Sequence, residues 1–259
     1  YKGVDLGRVK RRGYRKVMGM YKLAVQLYTV REEMSKDVVA TLEQVAALGY
    51  EGVEFAGFFD VPQEEMKAHL ERLNLCVVGS HTSLEALENQ FEEVIAYNRA
   101  IGNKYLVCPW SELKDLEGLA ILASQIEKLI PKIKAEGMEL LYHNHDHELQ
   151  VVEGSYLLDR LVEACHGELG LEVDTFWVYR AGVNPIEYLR QHQANISLVH
   201  IKDGTANGLN ALGEGDAPVK DVLEAVDKLG LEWIIVENDD PSPSGIEDIK
   251  RSIGYLKAE

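Results

Sequence analysis

Histidine and carboxylate side chains recur in this sequence directly after short apolar runs. Asp174, His200 and Glu237 end three such runs, and a fourth run continues into YHNHDHE at positions 142–148. Imidazole and carboxylate groups are ligands for Mn, Zn, Co and Fe ions, and an unpaired charge beside an apolar strand is costly. The pattern therefore predicts one divalent metal ion held by Asp174, His200, Glu237 and one residue of the 142–148 segment. Helix caps would explain each residue singly, but not four together.

The apolar runs alternate with helical patterns along the chain. Eight β-rich runs lie at 22–28, 52–55, 76–81, 105–109, 139–145, 169–175, 196–202 and 233–237, separated by helical patterns such as 35–48, 83–101 and 115–136. Strict alternation predicts a parallel sheet with right-handed crossovers. Eight units in this length predict an α/β fold, a single-domain (β/α)8 TIM barrel. A doubly wound sheet is the alternative, but Tyr28–Arg31 is not the glycine-rich loop that it requires after its first strand.

Charge separates the first twenty residues from the remainder. The chain has 43 acidic and 27 basic residues and a net charge of −16, yet residues 1–20 alone carry +6 and residues 21–259 carry −22. We interpret residues 1–20 as a basic extension outside the fold and residues 21–259 as the barrel. The acidic barrel argues against nucleic acid or an anionic membrane as a partner. It also favours an unphosphorylated substrate. No secretory signal or spanning segment is evident, which predicts a cytoplasmic protein; a homo-oligomer is left open.

The active site of such a barrel lies at the C-terminal ends of its strands. His143 and His145 are candidate proton acceptors there, because imidazole titrates near neutral pH. Lys202 is a candidate for binding a hydroxyl or stabilising negative charge, with an ion pair to Asp203 or Asp174 as the alternative.

Other strand ends supply candidate contacts to a substrate. His81 is one such contact or a structural histidine, and Trp177 is an apolar wall for a sugar face or a core residue. Glu54 either orients substrate at the mouth or pairs with Arg31.

Seven fragments together resemble the sugar phosphate isomerase/epimerase family of the xylose-isomerase-like barrel superfamily. They are VQLYTVREEM at 25–34, GYEGVEFAG at 49–57, SHTSLE at 80–85, YHNHDHEL at 142–149, LEVDTFWVYRAG at 171–182, VHIKDG at 199–204 and IIVEND at 234–239. The resemblance extends from Tyr21 to the C-terminus. It implies a TIM barrel with one or more divalent metals, usually bound by Glu, Asp, His and Glu from the last four strands.

The resemblance places metal ligands at Asp174, His200 and Glu237. Many relatives end the fifth strand with Glu-Asn, whereas this sequence has His143-Asn144. Either His143 or His145 ligates directly, or the loop folds back and Glu148 supplies a carboxylate. We predict Glu148, since an oxygen donor preserves the ligand chemistry that the resemblance implies.

The predicted function is a metal-dependent sugar or keto-sugar isomerase or epimerase without an organic cofactor. A base (His143, His145 or Glu237) takes the proton next to a carbonyl, and the metal stabilises the resulting enediolate. A keto-sugar lyase or dehydratase, similar to inosose dehydratase or to deglycosylating subunits, is the alternative because it uses the same metal and base. An apurinic-site endonuclease and a non-catalytic sugar-binding barrel are further alternatives, which fold alone does not separate.

Overall fold

Eight parallel strands close into a barrel in the computed structural model of this protein, which describes residues 21–258. The strands pair in chain order, and the eighth pairs with the first: β1 (Lys22–Gln26), β2 (Gly52–Ala56), β3 (Cys76–His81), β4 (Tyr105–Cys108), β5 (Glu139–His143), β6 (Gly170–Asp174), β7 (Ile196–Ile201) and β8 (Trp233–Val236). The predicted TIM barrel is confirmed. The predicted basic extension at residues 1–20 lies outside the described residues.

Helices follow the strands and surround the barrel. They are α1 (Arg31–Met34), α2 (Val38–Leu48), α3 (Gln63–Leu73), α4 (Leu84–Asn89), α5 (Phe91–Ala100), α6 (Leu116–Ala135), α7 (Leu157–Ala164), α8 (Thr175–Arg180), α9 (Pro185–Gln191), α10 (Val219–Leu229) and α11 (Gly245–Ala258). Short 3₁₀ turns occupy Leu27–Val30 and His147–Leu149. The single helix predicted over 83–101 is wrong, because Gln90 leaves the helical conformation and separates α4 from α5. None of the described helices is long and apolar enough to cross a membrane.

Two antiparallel hairpins follow barrel strands. Val151–Val152 pairs with Ser155–Tyr156 after β5, and Asp203–Thr205 pairs with Gly208–Asn210 after β7. The sequence did not predict either hairpin, because their strands are only two or three residues long. Both hairpins extend the ends of strands that carry candidate site residues.

The barrel interior is apolar at one level and polar at the next. One side chain from each of six strands forms a separate buried cluster, namely Ala24, Val78, Val107, Leu141, Leu198 and Ile235. Side chains alternate along a strand, so a residue two positions further on points the same way. Leu141 is thus followed inside the barrel by His143, Leu198 by His200, and Ile235 by Glu237. The apolar cluster therefore forms the floor beneath the candidate site.

One buried carboxylate organises the loop after β7. Asp203 accepts hydrogen bonds from the backbone N–H groups of Gly204 (2.8 Å), Gly213 (2.9 Å), Gly215 (3.0 Å) and Ala217 (3.1 Å). A side chain at Gly215 would collide with this carboxylate and with the Gly204 backbone, so the close approach requires glycine. Gly204, Gly213 and Gly215 therefore donate their N–H groups to Asp203, in addition to forming the turn before α10.

Replacing Asp203 by Ala should remove the acceptor of all four N–H groups while they remain partly buried. We expect the free energy of unfolding to fall by about 3 kcal/mol, because unsatisfied buried donors carry a desolvation penalty. Urea denaturation measures this change. Asp216→Ala removes an exposed carboxylate from the same loop and should leave stability unchanged. Equal midpoints for Asp203→Ala and the wild type would contradict the assigned role.

Candidate metal centre

Four buried side chains converge above the apolar floor. His143 ends β5, Asp174 ends β6, His200 lies in β7, and Glu237 directly follows β8. One nitrogen or oxygen from each lies within 4.8 Å of the others. His143 Nε2 is 3.3 Å from Asp174 Oδ2, and His200 Nδ1 is 2.8 Å from Glu237 Oε2. We call these four residues the metal group.

The two oxygens of Asp174 have different partners. Oδ1 accepts the N–H groups of Phe176 (3.0 Å) and Trp177 (3.1 Å) and so caps α8. Oδ2 points instead to His143 and Lys202. Asp174 therefore caps α8 with one oxygen, and this cap is compatible with the predicted role of its other oxygen as a metal ligand.

The side-chain amide of Asn144 forms hydrogen bonds with the backbone of Asp174. Asn144 Oδ1 accepts the N–H of Asp174 at 3.0 Å, and its Nδ2 donates to the Asp174 carbonyl at 3.3 Å. These bonds tie the ends of β5 and β6 together. The carboxylate of Asp174 is thus held at both its backbone and its Oδ1 atom.

Lys202 is buried against the carboxylates of the metal group. Its Nζ lies 3.1 Å from Asp174 Oδ2, 2.8 Å from Glu237 Oε2 and 2.7 Å from Asp239 Oδ2. Burial lowers the pKa of Lys202, but these three carboxylates outweigh burial and raise that pKa well above its usual value. Lys202 is therefore a charged donor. Of its two predicted ion-pair partners the structure brings it to Asp174, whereas Asp203 bonds to the loop backbone.

The carboxylates in turn remain ionised. Burial raises the pKa of Glu237, but Lys202 and then His200 overcome it and hold the pKa well below the usual range. Burial likewise raises the pKa of Asp174, while Lys202 and His143 bring it below its ordinary value. Both side chains therefore present negatively charged oxygens to the centre of the group.

The residues present fit a divalent cation. The metal group offers two imidazole nitrogens and two carboxylate oxygens, the donor types suited to Mn, Zn, Co or Fe. Glu54 and Glu172 are also fully buried in this part of the barrel, where both lie close to His200 Nε2. A divalent ion held by His143, Asp174, His200 and Glu237 would add positive charge beside the ionised carboxylates of Asp174 and Glu237.

Glu148, the predicted ligand of the fifth strand, lies elsewhere. Its carboxylate is grouped with His145 and His147, and accepts the Tyr142 hydroxyl (2.9 Å) and the His145 N–H (2.8 Å). These bonds anchor the turn that follows β5. Three of the four predicted ligands are thus brought together with His143, which the sequence had left as an alternative.

His145 and Trp177 lie beside the metal group. The His145 ring is 5.1 Å from the His143 ring and 5.6 Å from Trp177, and Lys202 Nζ is 5.3 Å from the centre of the indole. Burial, followed by the effect of His143, lowers the pKa of His145 to about 3. His145 is therefore a neutral imidazole at pH 7, packed against the same tryptophan as the charged Lys202.

Glu54 and His81 lie behind His200. Glu54 Oε2 is 2.6 Å from His200 Nε2, and His81 Nε2 is 2.9 Å from Glu172 Oε2. The Glu54 side chain is fully buried, and that of His81 is 10% exposed. Their predicted contact with substrate stays a prediction. Glu172 was missed from the sequence, although the alternation in LEVD puts it on the same face as Asp174.

Comparison with known proteins identifies a family model that matches most of this chain. Residues 42–259 match the family model of the xylose isomerase-like TIM barrel. An inosose dehydratase from Lacticaseibacillus casei is 23% identical, over 87% of this chain and 91% of the relative.

Solved structures share the fold. A sugar phosphate isomerase/epimerase from Parabacteroides distasonis superposes with a TM-score of 0.82 at 21% identity, over 92% of this chain and 98% of that one. The IolI protein with a bound zinc atom superposes with a TM-score of 0.73 at 17% identity, over 92% and 96% of the two chains.

The geometry distinguishes His143 from Glu148 among the candidate ligands after β5. His143→Ala should weaken zinc binding by at least about 100-fold, because it removes a donor atom from the metal group. Glu148→Gln keeps the shape of the turn and should change the zinc Kd by less than about threefold. Competition with a chromophoric chelator measures both values. The opposite ranking of the two variants would place the ligand at Glu148 instead.

Proposed function

This chain belongs to the xylose isomerase-like TIM barrel family, and we propose that it is a divalent-metal-dependent dehydratase of an unphosphorylated keto-sugar. The observation that carries the proposal is the placement of His145 and Lys202 against Trp177, beside the metal group. At pH 7 His145 is a neutral imidazole with a lone pair that can accept a proton, and Lys202 is an ammonium that can donate to a hydroxyl.

The metal group would hold the cation through His143, Asp174, His200 and Glu237. When bound, a divalent ion supplies Lewis-acid polarisation of a carbonyl and an adjacent hydroxyl. Asp174 reaches that position already fixed by Asn144 and by the α8 backbone. The protein therefore provides a rigid set of donors that needs little rearrangement to bind a cation.

His145 and Lys202 divide the proton transfers. His145 accepts the proton from the carbon next to the carbonyl as that C–H bond breaks. Lys202 donates toward the hydroxyl on the neighbouring carbon, so the C–O bond breaks and water leaves. The electron pair of the C–H bond forms the new double bond. Trp177 packs against both groups and holds them at one side of the site.

The comparisons support elimination and a metal. The curated relative is an inosose dehydratase, and the IolI structure contains zinc. The buried acids of the site and the acidic barrel favour a substrate without a phosphate group. The substrate class is therefore a neutral keto-sugar.

Isomerisation or epimerisation is the second candidate. The structural similarity to a sugar phosphate isomerase/epimerase favours it. Both reactions begin with removal of the same proton. They differ in whether that proton returns to the substrate or a hydroxyl leaves.

Incubation of the metal-loaded protein in D2O with a panel of keto-sugars that includes an inosose separates these reactions. We expect deuterium next to the carbonyl in recovered substrate, by NMR, together with an unsaturated product, by ultraviolet absorbance. His145→Gln should lower both rates by about 10² to 10⁴ because it removes the base. Lys202→Gln should lower elimination more than exchange. His192→Gln, a histidine paired with Asp159 outside the site, is the control.

The two signals have separate meanings. Exchange without an unsaturated product would replace dehydration by isomerisation or epimerisation. Neither signal with any loaded metal would contradict the proposed function, and full activity of His145→Gln would remove His145 from the mechanism.

A further inference from the structure

Two buried carboxylates meet the second nitrogen of His200. Glu54 Oε2 lies 2.6 Å and Glu172 Oε2 lies 3.1 Å from His200 Nε2. All three side chains are completely buried. We call Glu54 and Glu172 the carboxylate pair; it lies on the opposite side of the imidazole from the metal group.

His200 therefore joins two carboxylate groups through one ring. Its Nδ1 faces Glu237 in the metal group, and its Nε2 faces the carboxylate pair. A histidine nitrogen that binds a metal carries no proton, so the neutral ring carries its proton on the other nitrogen. The partner of that second N–H fixes both the tautomer and the orientation of the ring.

We propose that Glu54 and Glu172 are positioning residues that accept the Nε2–H of His200 and so direct Nδ1 to the divalent cation. This inference rests on the metal centre of the proposed function. It assigns Glu54 a role behind the ligand rather than a contact with substrate, and it gives a role to Glu172.

Each member of the pair has its own support. Gln26 Nε2 donates to Glu54 Oε2 at 2.9 Å, and Gln26 Oε1 accepts the Tyr28 N–H at 3.0 Å. His81 Nε2 is 2.9 Å from Glu172 Oε2, and its ring stacks on that of His200 with centroids 5.5 Å apart and planes 11° apart. The pair is thus held in place from β1 on one side and β3 on the other.

A glycine makes room for the pair. Gly79 pairs with Glu54 across β2 and β3, and a Cβ at Gly79 would lie 2.6 Å from Glu54 Oε1 and 3.3 Å from Leu198 Cδ1. Leu198 belongs to the apolar floor, so the Glu54 carboxylate cannot shift toward solvent on that side. A methyl group at Gly79 would therefore displace the Glu54 carboxylate itself.

The second oxygen of each carboxylate in the pair is buried without a hydrogen bond to the described part of the chain, which lowers the stability of the fold. Glu54 Oε1 and Glu172 Oε1 are buried and have no hydrogen-bond partner within residues 21–258. Leaving such atoms unpaired opposes folding, which suits residues kept for a site rather than for stability. The same residues, with His81, are also a rival metal set, since one donor atom from each of Glu54, His81, Glu172 and His200 lies within 4.8 Å of the others.

Zinc affinity and stoichiometry test the role directly. We expect Glu54→Leu and Glu172→Leu to weaken zinc binding 10- to 100-fold while one zinc per chain is still bound at saturation. Glu54→Gln and Glu172→Gln retain an acceptor oxygen and should recover part of the loss. Gly79→Ala leaves every ionisable group in place and should also weaken binding. Asp159→Asn alters a carboxylate–histidine pair outside the site and should not.

NMR of zinc-loaded, ¹⁵N-histidine-labelled protein provides a readout independent of affinity. The His200 ring should show zinc at Nδ1 and a proton at Nε2, and that N–H signal should move upfield in the glutamine variants, as its acceptor loses charge. Unchanged affinity and an unchanged signal would overturn the positioning role alone.

Two further outcomes have distinct meanings. Two zinc ions in the wild type, one of them lost in Glu54→Leu, would replace positioning by a second metal site. Absence of zinc from the wild type would overturn the metal centre, and with it the proposed function and this inference.

Discussion

The buried negative charge at the end of the barrel is the constraint on which the site depends. Four fully or nearly fully buried carboxylates, Glu54, Glu172, Asp174 and Glu237, lie above an apolar floor that provides no counterion. Burial favours their neutral forms and, with the charge of Glu172, raises the pKa of Glu54 to about 7. Nearby positive charge is needed to keep a buried carboxylate ionised. The ammonium of Lys202 does this for Asp174 and Glu237. A divalent cation at the metal group would add further positive charge beside these two carboxylates.

Several polar side chains of the site use one atom for a structural hydrogen bond and direct another atom toward the centre of the site. Asp174 uses one oxygen to cap α8 and leaves the other for the centre. His200 presents one nitrogen to each side. Glu148 is held by Tyr142 and by the His145 backbone, and it thereby fixes the turn that carries His145. Groups fixed in this way would keep a cation and the proposed base in a fixed relative position, without reorganisation during a reaction.

The sequence predicted the barrel, its strands and three of the four residues of the metal group, because strand alternation and strand-end position are local properties. It predicted Glu148 as the fourth ligand, whereas the structure groups His143 with the other three, because the choice depends on how the turn after β5 folds against Tyr142. Glu172 was missed because a single acid within a strand has no sequence signal beyond alternation. The break at Gln90 was missed because the helical spacing of apolar residues continues across it from α4 into α5.

Location of the metal ion by anomalous diffraction tests the central claim most directly. Crystals of the zinc-loaded protein, measured on both sides of the zinc absorption edge, should show one anomalous peak about 2.0–2.2 Å from donor atoms of His143, Asp174, His200 and Glu237. Glu54 and Glu172 should lie beyond bonding distance from it. A single peak among His145, His147 and Glu148, or one bound by Glu54, His81 and Glu172, would contradict the account.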